Sequence, residues 1–312
     1  MDLLMSGDML VADADETLAR LIDTLAIPEP RTSWTQRWID YGFIAHWCRI
    51  GPDFSAGPTR LEVISPAGVP PFRPGHPHMR ELFDGQGDRP VKAHSTPVSV
   101  PDLGPIVERL RSVGARFRLD PPMEAMGFER LWMGVTEAES FRYLPDSDGG
   151  LRLEFLPTSA LGLPPEAASA IPPTLGPPDG SYVGVSARVF LTANLDAACS
   201  SLARNFGWEP LQVRSDDRGT VATFGFAFAR SGVIEILQPS GSSEAMSFLE
   251  QWGDGPYGIR LAVNGLSRRV ALLSSRSTRV QMRVRDGADI AHVHPDDTAG
   301  TRIELEEFRM IS

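Results

Sequence analysis

The apolar positions of this chain alternate between two periods. In MLVADADETLARLIDTLAI, Leu18, Leu21 and Leu25 recur at helical spacing behind Asp13, a residue suited to cap a helix N-terminus. PVSVPDLGPIVERLRSVGARF repeats the pattern with Asp102 as cap and Val107, Leu110 and Val113 as the inward stripe. VFLTANLDAACSSLARNFGW and IRLAVNGLSRRVALLSS supply a third and a fourth helix, capped at Asn194 and Asn264. A short apolar run precedes each helix, and segments rich in β-branched and aromatic residues follow it as strands.

Each unit closes on an apolar run with a glutamate inside it: TRLEVISP, LRLEFLP, GVIEILQP and TRIELEEF. Cap and glutamate are 49 residues apart from Asp13 to Glu62, 52 from Asp102 to Glu154, 41 from Asn194 to Glu235 and 40 from Asn264 to Glu304. Four βαβββ units account for this repetition. Strand geometry puts Leu61 and Val63 on one face and Arg60 and Glu62 on the other; Leu153 and Phe155 likewise oppose Arg152 and Glu154. The aliphatic face packs on the unit's helix, so the glutamates point away from it.

Proline sets the boundaries. PTSALGLPPEAASAIPPTLGPPDGS (157–181) holds seven prolines, which remove amide donors and fix φ, so neither a helix nor a central strand runs through it. It reads as the connection between two domains, residues 1–157 and 182–312, with 158–181 as linker. A second irregular stretch, 65–90, divides the first half.

A net charge of −10, with 30 dispersed basic residues, leaves no block suited to nucleic acid or an anionic membrane. No run approaches the ~18 apolar residues of a membrane span, and MDLLMSGDMLVADAD lacks the regions of a secretory signal. Cys48 and Cys199 have no metal-ligand spacing, so two ordinary thiols in a reducing cytoplasm are expected.

With the openings VADADETLARL and VPDLGPIVERLRSVGARF and the closings DSDGGLRLEF and HPDDTAGTRIEL, the chain resembles the vicinal oxygen chelate superfamily, which includes glyoxalase I, the bleomycin resistance proteins and the extradiol dioxygenases. The resemblance spans nearly the whole chain. It implies an α+β fold in which four βαβββ modules pair into two cup-shaped mixed sheets, with metal ligands drawn from the first and last strand of each module. Carried over, the N-terminal pair offers Glu62 and Glu154 on closing strands and His94 on the second opening strand. The first opening strand has only Ser6 or Asp8. The C-terminal pair keeps Glu235 and Glu304 but has Arg188 and Arg260 in place of histidine, which directs the chemistry to the N-terminal cup.

Glu62, His94 and Glu154 can hold a divalent ion (Zn, Mn, Fe, Ni or Mg) and leave a position for substrate oxygens. Two features oppose this. His94 lies one residue further from its cap than the family spacing, which turns it toward the helix unless a bulge intervenes. Arg60, Arg152 and Arg302 each stand two residues before a glutamate, and an Arg–Glu pair satisfies both groups without metal. In SWTQRWIDYGFIAHWCRIG (33–51), which also carries Trp34, alternation separates Phe43, Ala45 and Trp47 from Ile44 and His46. Trp38, Phe43, Trp47 and Arg152 are candidate substrate-binding groups, and Glu154, His46 and Tyr41 candidate proton-transfer groups, with His46 alternatively structural. His76 and His78 fall in a Pro/Gly-rich loop, and His292 and His294 beside a turn.

The expected function is a metal-dependent enzyme that binds a small apolar or aromatic oxygenated substrate through adjacent oxygens and stabilises an enolate or oxyanion, as an isomerase, lyase or hydrolase. The alternative is a metal-free protein that sequesters such a ligand, as the bleomycin resistance proteins do. Ring-cleaving dioxygenation fits less well, because the second pair lacks histidines. An inward His94 favours the enzyme. The expected partner is a small molecule, with neither nucleic acid nor membrane; homodimerisation is left open.

Overall fold

The computed structural model describes residues 1–309 apart from 31–34, 53–55, 74, 75, 77, 125, 135–146, 170, 172 and 286. The chain opens with β1 (Leu3–Leu4) and β2 (Ser6–Leu10) and enters α1 (Ala14–Leu25). Asp13, in an extended conformation, accepts the Glu16 N–H at 2.9 Å and starts the helix; Leu18, Leu21 and Leu25 are buried along one face. β3 (Thr35–Trp38), β4 (Phe43–Cys48) and β5 (Arg60–Pro66) follow, and β5 lies parallel to β2, giving the order β2-β5-β4-β3.

The same plan recurs three times. After α2 (Met79–Asp84) come β6 (Thr96–Val100), α3 (Gly104–Ser112), β7 (Phe117–Asp120), β8 (Arg130–Met133) and β9 (Leu153–Pro157). The third module is β10 (Ser181–Leu191), α4 (Leu195–Phe206), β11 (Gln212–Asp216), β12 (Gly219–Phe224) and β13 (Val233–Pro239). After α5 (Glu244–Trp252), the fourth is β14 (Gly255–Asn264), α6 (Leu266–Ser275), β15 (Val280–Arg285), β16 (Ala288–Val293) and β17 (Ile303–Glu307). In each, the first and last strands pair in parallel and the others antiparallel. The expected α+β fold of four βαβββ modules in two cups of mixed sheet is what forms.

Two cap assignments change. Leu103, not Asp102, is the N-cap residue of α3, and Asp102 Oδ1 accepts the Gly104 N–H at 2.9 Å. Asn264 ends β14, and its side chain donates to the Gly176 and Pro177 carbonyls at 3.0 and 3.2 Å. The first amides of α6 are capped instead by Glu307, which accepts from Gly265 and Leu266 at 2.8 and 2.7 Å. Val113 sits at the C-terminal end of α3 and is exposed rather than inward.

The third and fourth modules share one eight-stranded sheet through the antiparallel pair β10–β14. In the N-terminal half the equivalent strand is interrupted at Met5, so β1 joins β6 and β2 joins β5. Hydrogen bonds from Met5 N to Pro97 O (2.8 Å) and Leu10 N to Lys92 O (3.1 Å) keep β2 beside β6 on either side of Asp8.

The two halves meet back to back. Leu18, Leu21 and Leu25 of α1, with Leu61 and Val63, pack against Tyr182, Val185, Ile259, Leu261 and Leu305 of the C-terminal half. Val107 and Leu110 of α3, with Leu153 and Phe155, pack against Leu195, Leu202, Ile234 and Ile236. The glutamates of β5, β9, β13 and β17 lie on the opposite faces, inside the cups. The proline-rich segment lies on the C-terminal half: Arg230 donates to the Glu166 and Ser169 carbonyls, and Leu175 packs beside Val183 and Ala262. No helix among the described residues is long and apolar enough to cross a membrane.

Backbone crosses backbone between the halves at Gly51 and Gly57. A Cβ on Gly51 would fall 1.8 Å from the Val183 carbonyl oxygen, and one on Gly57 would fall 2.4 Å from it. Thr59 completes the seam, donating to Leu4 O and accepting from Gly232 N, each at 2.7 Å. Gly51→Ala is expected to destabilise the chain by about 3 kcal/mol through overpacking. Gly87→Ala, at φ +55° with open space around it, should cost only about 1 kcal/mol. Denaturant midpoints of the two variants check the difference.

Candidate functional site

Glu62 on β5 and Glu154 on β9 face into the N-terminal cup, each held by the same pair of neighbours. Ser6 Oγ donates to Glu62 Oε2 at 3.0 Å, and Ser95 Oγ donates to Glu154 Oε2 at 2.8 Å. Trp47 lies opposite Glu62 in the ladder and Trp132 lies opposite Glu154. The symmetry then breaks. Trp47 Nε1 donates to Glu62 Oε1 at 2.6 Å, whereas Trp132 Nε1 has no hydrogen-bond partner among the described residues, and Glu154 Oε1 has Arg130 Nη1 at 3.7 Å. Arg60 is half-buried in the field of Glu62. It lies over the Trp47 ring, and Arg152 takes φ 55° ahead of β9 and bears on Arg89.

His94 precedes β6, outside the strand periodicity, and its ring turns inward between the two glutamates. Nδ1 lies 2.7 Å from Asp8 Oδ2, which also accepts the His94 backbone N–H at 2.9 Å. Nε2 lies 2.9 Å from Ser95 Oγ and 3.8 Å from Glu154 Oε2. Burial pulls the His94 proton affinity down, but the charges of Asp8 and Glu62 more than reverse this and raise it to about 9. Burial pushes Glu62 up to about 7, opposed by His94 and reinforced by Asp8 and Glu154. Burial also raises Glu154, against Arg130 and His94.

The wall above these charges is aromatic. Trp38, Phe43, Trp47, His76, Met126 and Phe128 enclose a small cavity of about 20 Å³ over Glu62, His94 and Glu154. His76, unassigned from its loop, is buried and stacks on Phe43 with ring centroids 3.9 Å apart. Asp8, Arg130 and Trp132 also belong here; the alternation of RLWM was the available signal for the last two. Trp34 lies outside the described residues. Three of the expected site residues are elsewhere. His46 points to the helix side of β4, where it meets Asp15 at 2.9 Å and Thr35 at 3.2 Å. Tyr41 is buried in the cup's flank, its hydroxyl accepting the Glu124 N–H at 3.3 Å, and is not among the residues lining the cavity. Arg152 stands outside the cavity.

No protein-family model matches the chain, and no curated protein does. Among solved structures, a mutant of 4-hydroxymandelate synthase from Streptomyces coelicolor aligns over 100% of this chain and 93% of its own, at 13% identity and a TM-score of 0.57. The chain has the vicinal oxygen chelate fold. Methylmalonyl-CoA epimerase from Mycobacterium tuberculosis covers 44% of this chain and 93% of its own (23% identity, TM-score 0.39), and a hypothetical protein from Bacillus halodurans covers 41% and 96% (18%, 0.37).

Vicinal oxygen chelate metal sites use the first and last strands of each module, and here the opening strands present Ser6 and Ser95, whose hydroxyls are given to the glutamates. Both oxygens of Glu62 are engaged, Arg130 stands beside Glu154, and Asp8 occupies His94 Nδ1. No group of three His, Cys, Asp or Glu among the described residues is disposed to hold a metal ion. Glu62, His94 and Glu154 come together at the cavity, but in this arrangement their donors are turned to Ser6, Trp47, Asp8 and Ser95 and do not suit a divalent cation.

The C-terminal cup is neutralised differently. Arg260 grips Glu235 with two bonds of 3.1 and 2.8 Å and reaches Glu304 at 3.3 Å, while Arg285 forks onto Glu304 with two bonds of 2.7 Å. Although burial opposes it, these arginines hold Glu304 far below the usual carboxylate range. This cup has the larger cavity, about 630 Å³. Volume favours it as a site; chemistry does not, because both central carboxylates are already committed to arginine. Arg188, expected here, faces the other half.

Three outcomes follow. Folded Glu62 keeps a proton that the unfolded chain releases above its ordinary 4.5, so stability falls as pH rises from 4.5 to about 7. His94 stabilises fully below 6.5 and loses that contribution as pH rises through about 9. Each spans roughly 3 kcal/mol, and urea melts across this range should show Glu62→Gln flattening the lower segment and His94→Gln the upper. Arg260→Met, which strands Glu235, should cost about 3–5 kcal/mol by the same melts at neutral pH.

Proposed function

We propose that the N-terminal cup is the active site of an enzyme that moves a proton on a small apolar or aromatic oxygenated molecule, in isomerase, lyase or hydrolase chemistry. The observation that carries this reading is Glu62: a fully buried carboxyl at the floor of an aromatic-lined cup, raised to about 7 and so suited to take and return a proton near neutrality. Trp47 and Ser6 orient its oxygens, and the aromatic wall excludes water. The inward His94 beside Glu154 completes a polar floor able to receive substrate oxygens. No step is assigned to a metal, because the donors do not suit one. In this reading residues 1–157 are the active domain, 182–312 the supporting domain and 158–181 their connection.

The second reading, a metal-free binding protein, is favoured by the satisfied hydrogen bonds of Glu62 and by the small cavity. One assay separates the two. Aromatic 2-hydroxy and 2-oxo acids and their esters are incubated with the protein in deuterated water and followed by proton NMR. Exchange at a carbon beside an oxygen, slowed about 100-fold or more by Glu62→Gln, supports the enzyme. Saturable ligand binding without exchange, unaffected by Glu62→Gln, supports the binder.

A further inference from the structure

Hydrogen-bond bookkeeping around His94 assigns its charge. Ser95 gives its only O–H to Glu154 Oε2 at 2.8 Å, so its oxygen is an acceptor for His94 Nε2, 2.9 Å away. Asp8 Oδ2 accepts the His94 backbone N–H at 2.9 Å and lies 2.7 Å from Nδ1. Each ring nitrogen therefore faces an oxygen, Asp8 Oδ2 at Nδ1 and Ser95 Oγ at Nε2, the setting in which an imidazolium donates from both sides.

That charge is anchored from the opposite half. Among the described residues Asp8 Oδ1 has no hydrogen bond, and Arg188 Nη2 stands 3.7 Å from it. Arg188, on β10, is 0% exposed; its Nη1 reaches the Gly258 carbonyl at 3.4 Å, and its Nε and Nη2 have no hydrogen-bond partner among the described residues. A guanidinium removed from water needs a counter-charge, and Asp8 is placed to be that counter-charge. It reaches Asp8 where β2 departs from β6, with the Asp8 side chain taking the His94 amide in place of a ladder bond.

The C-terminal cup shows the same design with a different residue: Arg260 bridges the two module-closing glutamates, Glu235 and Glu304. In the N-terminal cup, His94 lies 3.8 Å from Glu154 and in the field of Glu62. We propose that this chain has exchanged the metal ion of its fold for a side-chain cation, the His94 imidazolium, clamped by Asp8 and anchored through it to Arg188. The inference rests on the N-terminal cup being the site, whether enzyme or binder. A ligand oxygen that a metal would chelate meets an N–H donor here, which selects ligands with an anionic or strongly polarised oxygen.

The test uses the full chain, expressed with zinc, manganese, iron, nickel and magnesium supplied and purified without chelator. Elemental analysis should find far less than one equivalent of any divalent ion, and the melting midpoint should not move with EDTA. About one equivalent of an ion, lost on chelation together with thermal stability, overturns the proposal. Nitrogen-15 NMR of the His94 ring, assigned by its loss in His94→Gln, should show both nitrogens protonated at neutral pH; a neutral ring also overturns it. Arg188→Met should let the ring become neutral at that pH while Arg188→Lys keeps it charged, and an unchanged ring in Arg188→Met removes the anchor. If Arg188→Met does not fold, the measurements on the unmodified chain still decide whether a cation replaces the metal. None of these readouts depends on turnover, so failure here and failure of the proton-transfer reading are separable.

Discussion

A carboxylate buried between two cations, Asp8 between His94 and Arg188, is the contact on which the N-terminal cup depends. All three side chains are shut away from water, so none is tolerable there without the others. The chain makes room for them by interrupting its first strand at Met5, which frees the Asp8 side chain to serve the His94 amide. A strand break that looks like lost sheet is thus the opening through which one half of the molecule sets the charge in the other. The raised proton affinity of Glu62 follows from the same burial and the same neighbours.

One topology, used twice, has arrived at two electrostatic solutions. Arginine cannot release its proton in a protein, so the C-terminal glutamates stay neutralised at every pH the fold survives. Histidine can, and the N-terminal cup keeps titratable groups at its centre. The first arrangement suits a scaffold and the second suits chemistry, although the C-terminal cup has the greater open volume.

Most of the architecture was legible because it is periodic. The helix stripes, the glutamate faces and the separation of Phe43, Ala45 and Trp47 from Ile44 and His46 all follow from spacing alone. The site was legible only in part. His94 and His76 lie outside regular strands, where alternation predicts nothing, and the inward turn of His94 comes from its bond to Asp8. His46 was correctly placed opposite Phe43 and Trp47, but its partner Asp15 on α1 was not foreseeable, so spacing alone left its catalytic and structural readings both open. Arg188 shares the buried face of β10 with Phe190, and a cation on such a face has meaning only once its distant partner is known.

The back-to-back packing pairs the first module with the fourth and the second with the third. During synthesis, then, the apolar face of α1 leaves the ribosome long before Ile259, Leu261 and Leu305, which cover it, are made. The nascent N-terminal half carries an open hydrophobic surface until those residues emerge, the condition under which chains aggregate or recruit chaperones. Closing that seam is a long-range event, and in folds of this kind such closures set the pace.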